Sequence, residues 1–230
     1  MTRARSWLAR YTQGRFFFLL MSILLLLLLQ PFLEGFELGQ QVLRLFFIVT
    51  LGTAMYSISD NRRRTVCGLA IGLPAVIVLG SSYFVDDERL LEIGFLVTVA
   101  FLIFVAINVL RYVLESTEVT AETIFAALSV YLLFGLIWAS GYFVLELFQN
   151  GSLQLDGVDL SASVTSREGM FSKCLYYSYV TLTTLGYGDV KPTTPPAQSL
   201  SYVQALTGQL YLAVLVARLV ALQITSSRRK

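Results

Sequence analysis

The stretch TLTTLGYGDVKP, Thr181 to Pro192, decides the fold, because its residues admit two chemistries that need different surroundings. Gly186 and Gly188 alternate with Leu185 and Tyr187. Glycine reaches backbone angles closed to other residues, so successive carbonyl oxygens can all turn toward one axis and take the place of an ion's water shell. The same residues spell G-x-G-D-x-K, in which Asp189 could be one of two catalytic carboxylates. A carbonyl-lined path needs four copies of the chain around an axis, since one chain supplies a single oxygen per layer. A carboxylate pair needs only a second acid within reach of the same water.

The surroundings are those of a membrane protein. Of 230 residues, 56% are hydrophobic and 14% charged, and the mean hydropathy is +0.69, so membrane spans rather than a soluble core account for the apolar surface. The net charge of +2 is too small to argue for nucleic acid, and Lys and Arg cluster between apolar runs. There is no histidine, which excludes imidazole metal sites and His-activated nucleophiles. Cys67 and Cys174 lie in apolar surroundings without C-x-x-C spacing and read as small buried side chains. The N-terminal MTRARSWLARYTQGR, followed by FFFLLMSILLLLLLQPFL, resembles a signal peptide. QPFLEGFELG offers no small-residue cleavage site, so this reads as a retained first span.

Apolar runs fall at about 16–33, 42–58, 66–85, 90–110, 123–148 and 197–222, each near the ~20 residues that carry a helix across ~30 Å of hydrocarbon. The expectation is six spans. Arg3, Arg5, Arg10 and Arg15 precede the first, Arg62, Arg63 and Arg64 follow the second, Arg111 ends the fourth, and Arg228, Arg229 and Lys230 follow the sixth. All these clusters fall on one side, which the positive-inside rule makes cytoplasmic. Glu34, Glu37, Asp86, Asp87, Glu88, Asp156 and Asp159 populate the other side. The reading is a multi-pass protein of the cell (inner or plasma) membrane, embedded in lipid, with both termini cytoplasmic and residues 149–194 external.

That external segment holds a polar turret, NGSLQLDGVDLSASVTSRE, and then GMFSKCLYYSYVTLTT, an apolar and aromatic run of about fifteen residues. It is too short to span and long enough for a helix of ~20 Å that enters and stops halfway. Non-helical backbone at that depth is tolerated only where it lines a water-filled path or is covered by protein. TLGYGD is therefore a pore lining or a protein-covered turn.

Here the two chemistries separate. GYGDVK resembles the G-x-G-D-x-K motif of type IV prepilin peptidases. On the topology above, however, Asp189 is external and Asp60 cytoplasmic. Asp86 and Asp87 share the side of Asp189, but those peptidases work at the cytoplasmic face. That family also continues into an apolar helix, whereas Pro192 and TTPPAQS follow here. Thr181-x-x-Thr184-x-Gly186-Tyr187-Gly188-Asp189 resembles the T-x-x-T-x-G-Y-G-D signature of tetrameric potassium channels. The resemblance implies a homotetramer that passes K+ and catalyses no reaction, with no organic cofactor. Thr184, Leu185, Gly186 and Tyr187 would offer carbonyl oxygens to K+, followed by Gly188, and the Thr184 hydroxyl would complete the innermost site. Leu185 stands where Val is commoner in that family. Tyr187 would point off the axis into an aromatic cuff with Tyr176 and Tyr177, Thr181, Thr183 and Asp189 would support the filter, and Tyr177 could donate to Asp189. The bland alternative for the tyrosines, Tyr179 above all, is an interfacial belt.

The expected architecture is all-α: six transmembrane helices with a re-entrant pore helix and filter between the fifth and sixth, arranged as a four-fold homotetramer. Residues 1–115 would form a four-helix peripheral domain and residues 116–230 the pore domain. In the last span Gly208 reads as a hinge or as a packing glycine, Leu212 and Val216 face a cavity, and Val220 and Ile224 form a gate at its mouth. The fourth span, LLEIGFLVTVAFLIFVAINVL, has no repeated Arg, which argues against conventional voltage sensing. Glu115, Glu118 and Glu122 are spaced for one helical face, as a solvated interfacial helix or as partners for Arg218 in gating. A non-conducting subunit that modulates other channels would keep the spans without needing both glycines.

Overall fold

The computed structural model describes residues 14–33, 37–59, 62–81, 88–164 and 166–227. The apolar runs form helices, because in hydrocarbon only a helix satisfies every backbone N–H and C=O within one segment. They are α1 (Arg15–Leu33), α2 (Glu37–Ser57), α3 (Arg62–Ser81), α4 (Glu88–Glu115), α5 (Ala121–Phe148), the short α6 (Leu160–Ser163), α7 (Arg167–Leu182) and α8 (Pro195–Ser227). Among the described residues, four helices are long and apolar enough to cross a membrane, over Arg15–Leu33, Ile93–Glu115, Ala121–Phe148 and Pro195–Leu222. The second expected span has a shorter apolar stretch, Gln41–Ser57. The third begins with three arginines in its first turn. Of the charges used to orient the spans, Arg3, Arg5, Arg10, Glu34, Asp60, Asp86, Asp87, Arg228, Arg229 and Lys230 lie outside the described residues.

α5 is the hub. α1 and α4 pack on one side of it and α7 and α8 on another, while α2 lies on α1 and α3 on α4. Ala126, Ala127 and Ala139 are small enough to let the neighbouring helices close onto Val130, Leu133 and Leu136. Phe95 of α4, Phe143 of α5 and Phe171 of α7 meet with ring centroids 4.4, 5.4 and 5.6 Å apart. Such ring pairs contribute about 0.5–1.5 kcal/mol each beyond their burial, so this triad clamps α7 to the bundle. Cys174 is buried as expected, but Cys67 is exposed on the outer face of α3. Apolar neighbours in sequence do not bury a residue when the helix presents that side to lipid.

The all-helical expectation needs one correction. A small antiparallel sheet, in the order β2-β1-β3, is built from β1 (Leu153–Leu155), β2 (Val158–Asp159) and β3 (Val190–Pro192). β1 and β2 are joined by Asp156 and Gly157 at φ 50° and 85°, the two-residue Asp-Gly turn that fits the twist of a hairpin. Leu153 stands opposite Pro192 and Leu155 opposite Val190. Because β1 follows α5 and β3 precedes α8, the sheet ties together both ends of the segment containing α7. That segment therefore leaves and rejoins the bundle at one end.

Candidate functional site: a bared carbonyl strand at the end of a half-depth helix

α7 starts from an N-cap in which Ser166 Oγ accepts from the Gly169 amide at 3.1 Å, an arrangement worth about 1 kcal/mol. Its other end lies deep. The Leu182 carbonyl accepts from the Tyr131 hydroxyl at 3.2 Å, and a Cβ placed on Gly208 would come within 2.4 Å of the same oxygen. Tyr131 and Gly208 both sit near the middle of their helices, so α7 stops about halfway along α5 and α8. Gly208 is thus required by close packing, whether or not the helix also bends there.

After Leu182 the backbone leaves the helix and climbs back toward β3. Thr184, Gly186 and Gly188 have φ of 59°, 62° and 79°, and Leu185 and Tyr187 between them do not. Such alternation of positive and negative φ is the pattern that allows successive carbonyls to turn the same way. Around Gly186 nothing lies within 4 Å of where a Cβ would be, so its glycine is required by the backbone angle and not by lack of room. Thr184 is a β-branched residue in the left-handed region, a conformation that persists only when its surroundings over-determine it. The amides are anchored on the last turn of α7. Thr184 N donates to Thr181 O at 3.0 Å, Leu185 N to Val180 O at 2.9 Å and Gly186 N to Val180 O at 3.4 Å.

The carbonyls are not anchored. Among the described residues nothing donates to the oxygens of Thr184, Leu185, Gly186 or Tyr187, and residues 183–188 are all exposed in the single chain. The C-terminal end of α7, with its partial negative charge, points at the same region. Chemically, such exposed carbonyls are hard oxygen ligands of the kind that can coordinate a cation.

The aromatic support differs in detail from expectation. Tyr176, not Tyr177, donates to Asp189, with Oη 2.7 Å from Oδ2, and this bond holds the Asp189 carboxyl below the usual carboxylate range. Tyr177 is one residue, or about 100°, further around the helix. It points inward and shares a hydrogen bond of 2.6 Å with Ser201 Oγ. Tyr179 is not an interfacial residue. It packs where Gly135 lacks a side chain, a Cβ there coming within 2.3 Å of its ring, and it donates to Leu132 O at 2.7 Å. Thr183 Oγ1 donates to Tyr179 O at 2.7 Å and caps the helix end. Thr181 is half-buried and Tyr187 exposed.

Sequence reasoning missed Glu146. It is buried near the end of α5 and accepts from the Gly151 and Leu153 amides at 2.9 and 3.0 Å, fixing the start of the sheet to α5. The available signal was a lone carboxylate in the otherwise uncharged last turns of an apolar helix, where an intramembrane acid is costly unless it has donors.

Leu212, Val216, Val220 and Ile224 are all exposed along α8. The three glutamates do not share a helical face. α4 ends at Glu115, residues 116–120 are non-helical, and Glu122 lies in the first turn of α5 behind its N-cap, Thr120. Glu122 sits beside Gly14, a Cβ there lying 3.7 Å from its Oε1. In this conformation Arg218 contacts none of the three carboxylates. Its guanidinium donates to the carbonyl oxygens of Leu114 and, at 3.1 Å, Ser116. These groups at the end of α4 have no partner within the helix and carry its partial negative charge.

A family model described as Ion channel matches residues 130–223. No curated protein matches the chain. The matched stretch runs from α5 through α7 and the bared carbonyls into α8, so over these residues the chain is similar to ion channels, in keeping with described helices long and apolar enough to cross a membrane.

Proposed function

We propose that the protein is a homotetrameric, potassium-selective channel that conducts K+ passively and lacks conventional voltage gating. One observation carries the reading: four consecutive exposed residues, Thr184 to Tyr187, have carbonyl oxygens that accept from no donor among the described residues, beginning at half the depth of α5 and α8. Polar backbone cannot face lipid there. Four chains around an axis turn the oxygens inward as stacked rings that replace an ion's hydration shell, and Tyr187 and Leu185 then face neighbouring chains. The T-x-x-T-x-G-Y-G-D resemblance supports K+ as the ion. Arg15, Arg218 and the 116–120 linker gather at the end opposite the sheet, which supports a cytoplasmic location for that end and an outward-facing sheet. α2 and α3 complete six spans in this reading.

The experiment is tracer flux from liposomes holding only the purified protein. The expected result is uptake of K+ and Rb+ with Na+ excluded. No flux from a correctly assembled oligomer would favour the non-conducting modulatory subunit, and equal Na+ flux would refute potassium selectivity.

A further inference from the structure

Behind α7, on the side away from the bared carbonyls, lies a chain of buried polar groups. Gln204 of α8 is completely buried. Its Nε2 donates to Ser178 O and Ser178 Oγ, both at 2.8 Å, and its Oε1 accepts from the Tyr142 hydroxyl at 2.8 Å. Ser178 Oγ in turn donates to Gly135 O at 2.7 Å. Both amide hydrogens and the amide oxygen of Gln204 are used, and Ser178 both donates and accepts. In an apolar setting such a network rigidifies what it joins when complete, and it is costly when one member is lost.

What it joins is specific. Ser201 meets Tyr177, Gln204 meets Ser178, and Gly208 meets Leu182, so α8 and α7 run side by side in one register. One turn beyond Ser178, the oxygens of Val180 and Thr181 hold the amides of Leu185, Gly186 and Thr184. A displacement of α8 at Gln204 therefore reaches the filter backbone through a single helical turn. Simple packing would have used Leu at position 204 with no polar cost.

Resting on the channel reading above, we propose that Gln204 is a positioning residue. Its amide, held by Tyr142, sets the register of α8 on α7 and thereby keeps the Thr184–Tyr187 carbonyls in their conducting arrangement.

The test is macroscopic K+ current from purified wild-type, Gln204→Leu, Tyr142→Phe and double-mutant protein in bilayers, at low and at high external K+. Ions bound in the carbonyl rings favour the conducting backbone by mass action, so a defect in filter positioning is relieved by K+, whereas a loss of general packing is not. At low K+ the current of Gln204→Leu is expected to decay about five- to thirtyfold faster than wild type, the factor for one to two kcal/mol. High K+ should restore the wild-type rate. Tyr142→Phe is expected to accelerate decay less, and the double mutant no more than Gln204→Leu, since both act on one network. Unchanged decay, or acceleration that high K+ does not relieve, would overturn the proposal. If Gln204→Leu fails to assemble, Tyr142→Phe decides by the same criterion. Absence of wild-type K+ current would instead refute the channel reading itself.

Discussion

α5 and α8 are both 28 residues or longer and similarly apolar, yet they treat their own chain differently. Half of the α5 span is buried within its own chain, against 6% of the α8 span. α5 is covered by α1, α4 and α7, with small residues wherever a neighbour comes close. α8 offers its own chain one narrow stripe, Ala197, Gln204, Gly208 and Leu215, and leaves Tyr202, Leu206, Leu210, Val214 and Val216 bare. Apolar side chains alone could face lipid at no cost. The 183–188 backbone beside α8 cannot, and in the proposed assembly that difference makes α5 the finished part of the fold, with α8 and the carbonyl strand completed by other copies.

The largest effect is expected where the unfinished part is most specific. Gly186→Ala should reduce K+ flux to background in a particle that still assembles, because a Cβ disfavours φ 62° and moves the carbonyl off axis. Retained K+ selectivity in the assembled mutant would show that the backbone angle is immaterial. Next come two glycines in the compared helices. Gly208→Ala pushes a Cβ to 2.4 Å from Leu182 O, whereas Gly141 of α5 has nothing within 4 Å. Thermal denaturation should show Gly208→Ala losing about 1–3 kcal/mol and Gly141→Ala losing none. Equal effects would remove the close contact between α8 and α7.

A finer distinction concerns two residues that are both bare in one chain, Leu128 of α5 and Val216 of α8. In a Cys67→Ser background, Val216→Cys should react with a water-soluble thiol reagent while Leu128→Cys, facing lipid, does not. Reaction at both, or only at Leu128→Cys, would reverse the comparison. The smallest effect is expected at the sheet end, external in the proposed orientation. Asp189 has a depressed pKa because Tyr176 donates to its carboxylate, so it keeps its charge until external pH falls below the ordinary carboxylate range. Removing the donor raises that pKa. Tyr176→Phe should therefore move acid inhibition of K+ current to higher pH, and an unmoved midpoint would show that Asp189 is not the group being titrated.

Much of this was legible in the sequence where a single physical constraint acted. Twenty-residue apolar runs can only be helices in lipid, so α1, α4, α5 and α8 fell where hydropathy put them. Gly186 and Gly188 announced their backbone angles. The short run before Thr183 was too brief to span, and α7 ends accordingly. Features that depend on three-dimensional register were not legible. Asp156-Gly157 between Leu155 and Val158 carried a hairpin signal that the surrounding polarity masked. Tyr176 and Tyr177 differ by one residue, and which of them reaches Asp189 is set by the rotation of α7 against α8. Glu115, Glu118 and Glu122 had helical spacing, but Thr120 capped a new helix and broke the face. In this conformation Arg218 meets the carbonyls of Leu114 and Ser116, a contact no composition announces, because helix ends carry charge that no residue type records.

The account stands on the claim that α8 and the carbonyl strand are completed by three further copies of the chain. The mass of the solubilised, conducting particle by native mass spectrometry tests it most directly. Four times the mass of one chain is predicted, falling apart to smaller species as detergent conditions harshen. A conducting monomer or dimer would contradict it, because two oxygens per layer cannot surround a cation.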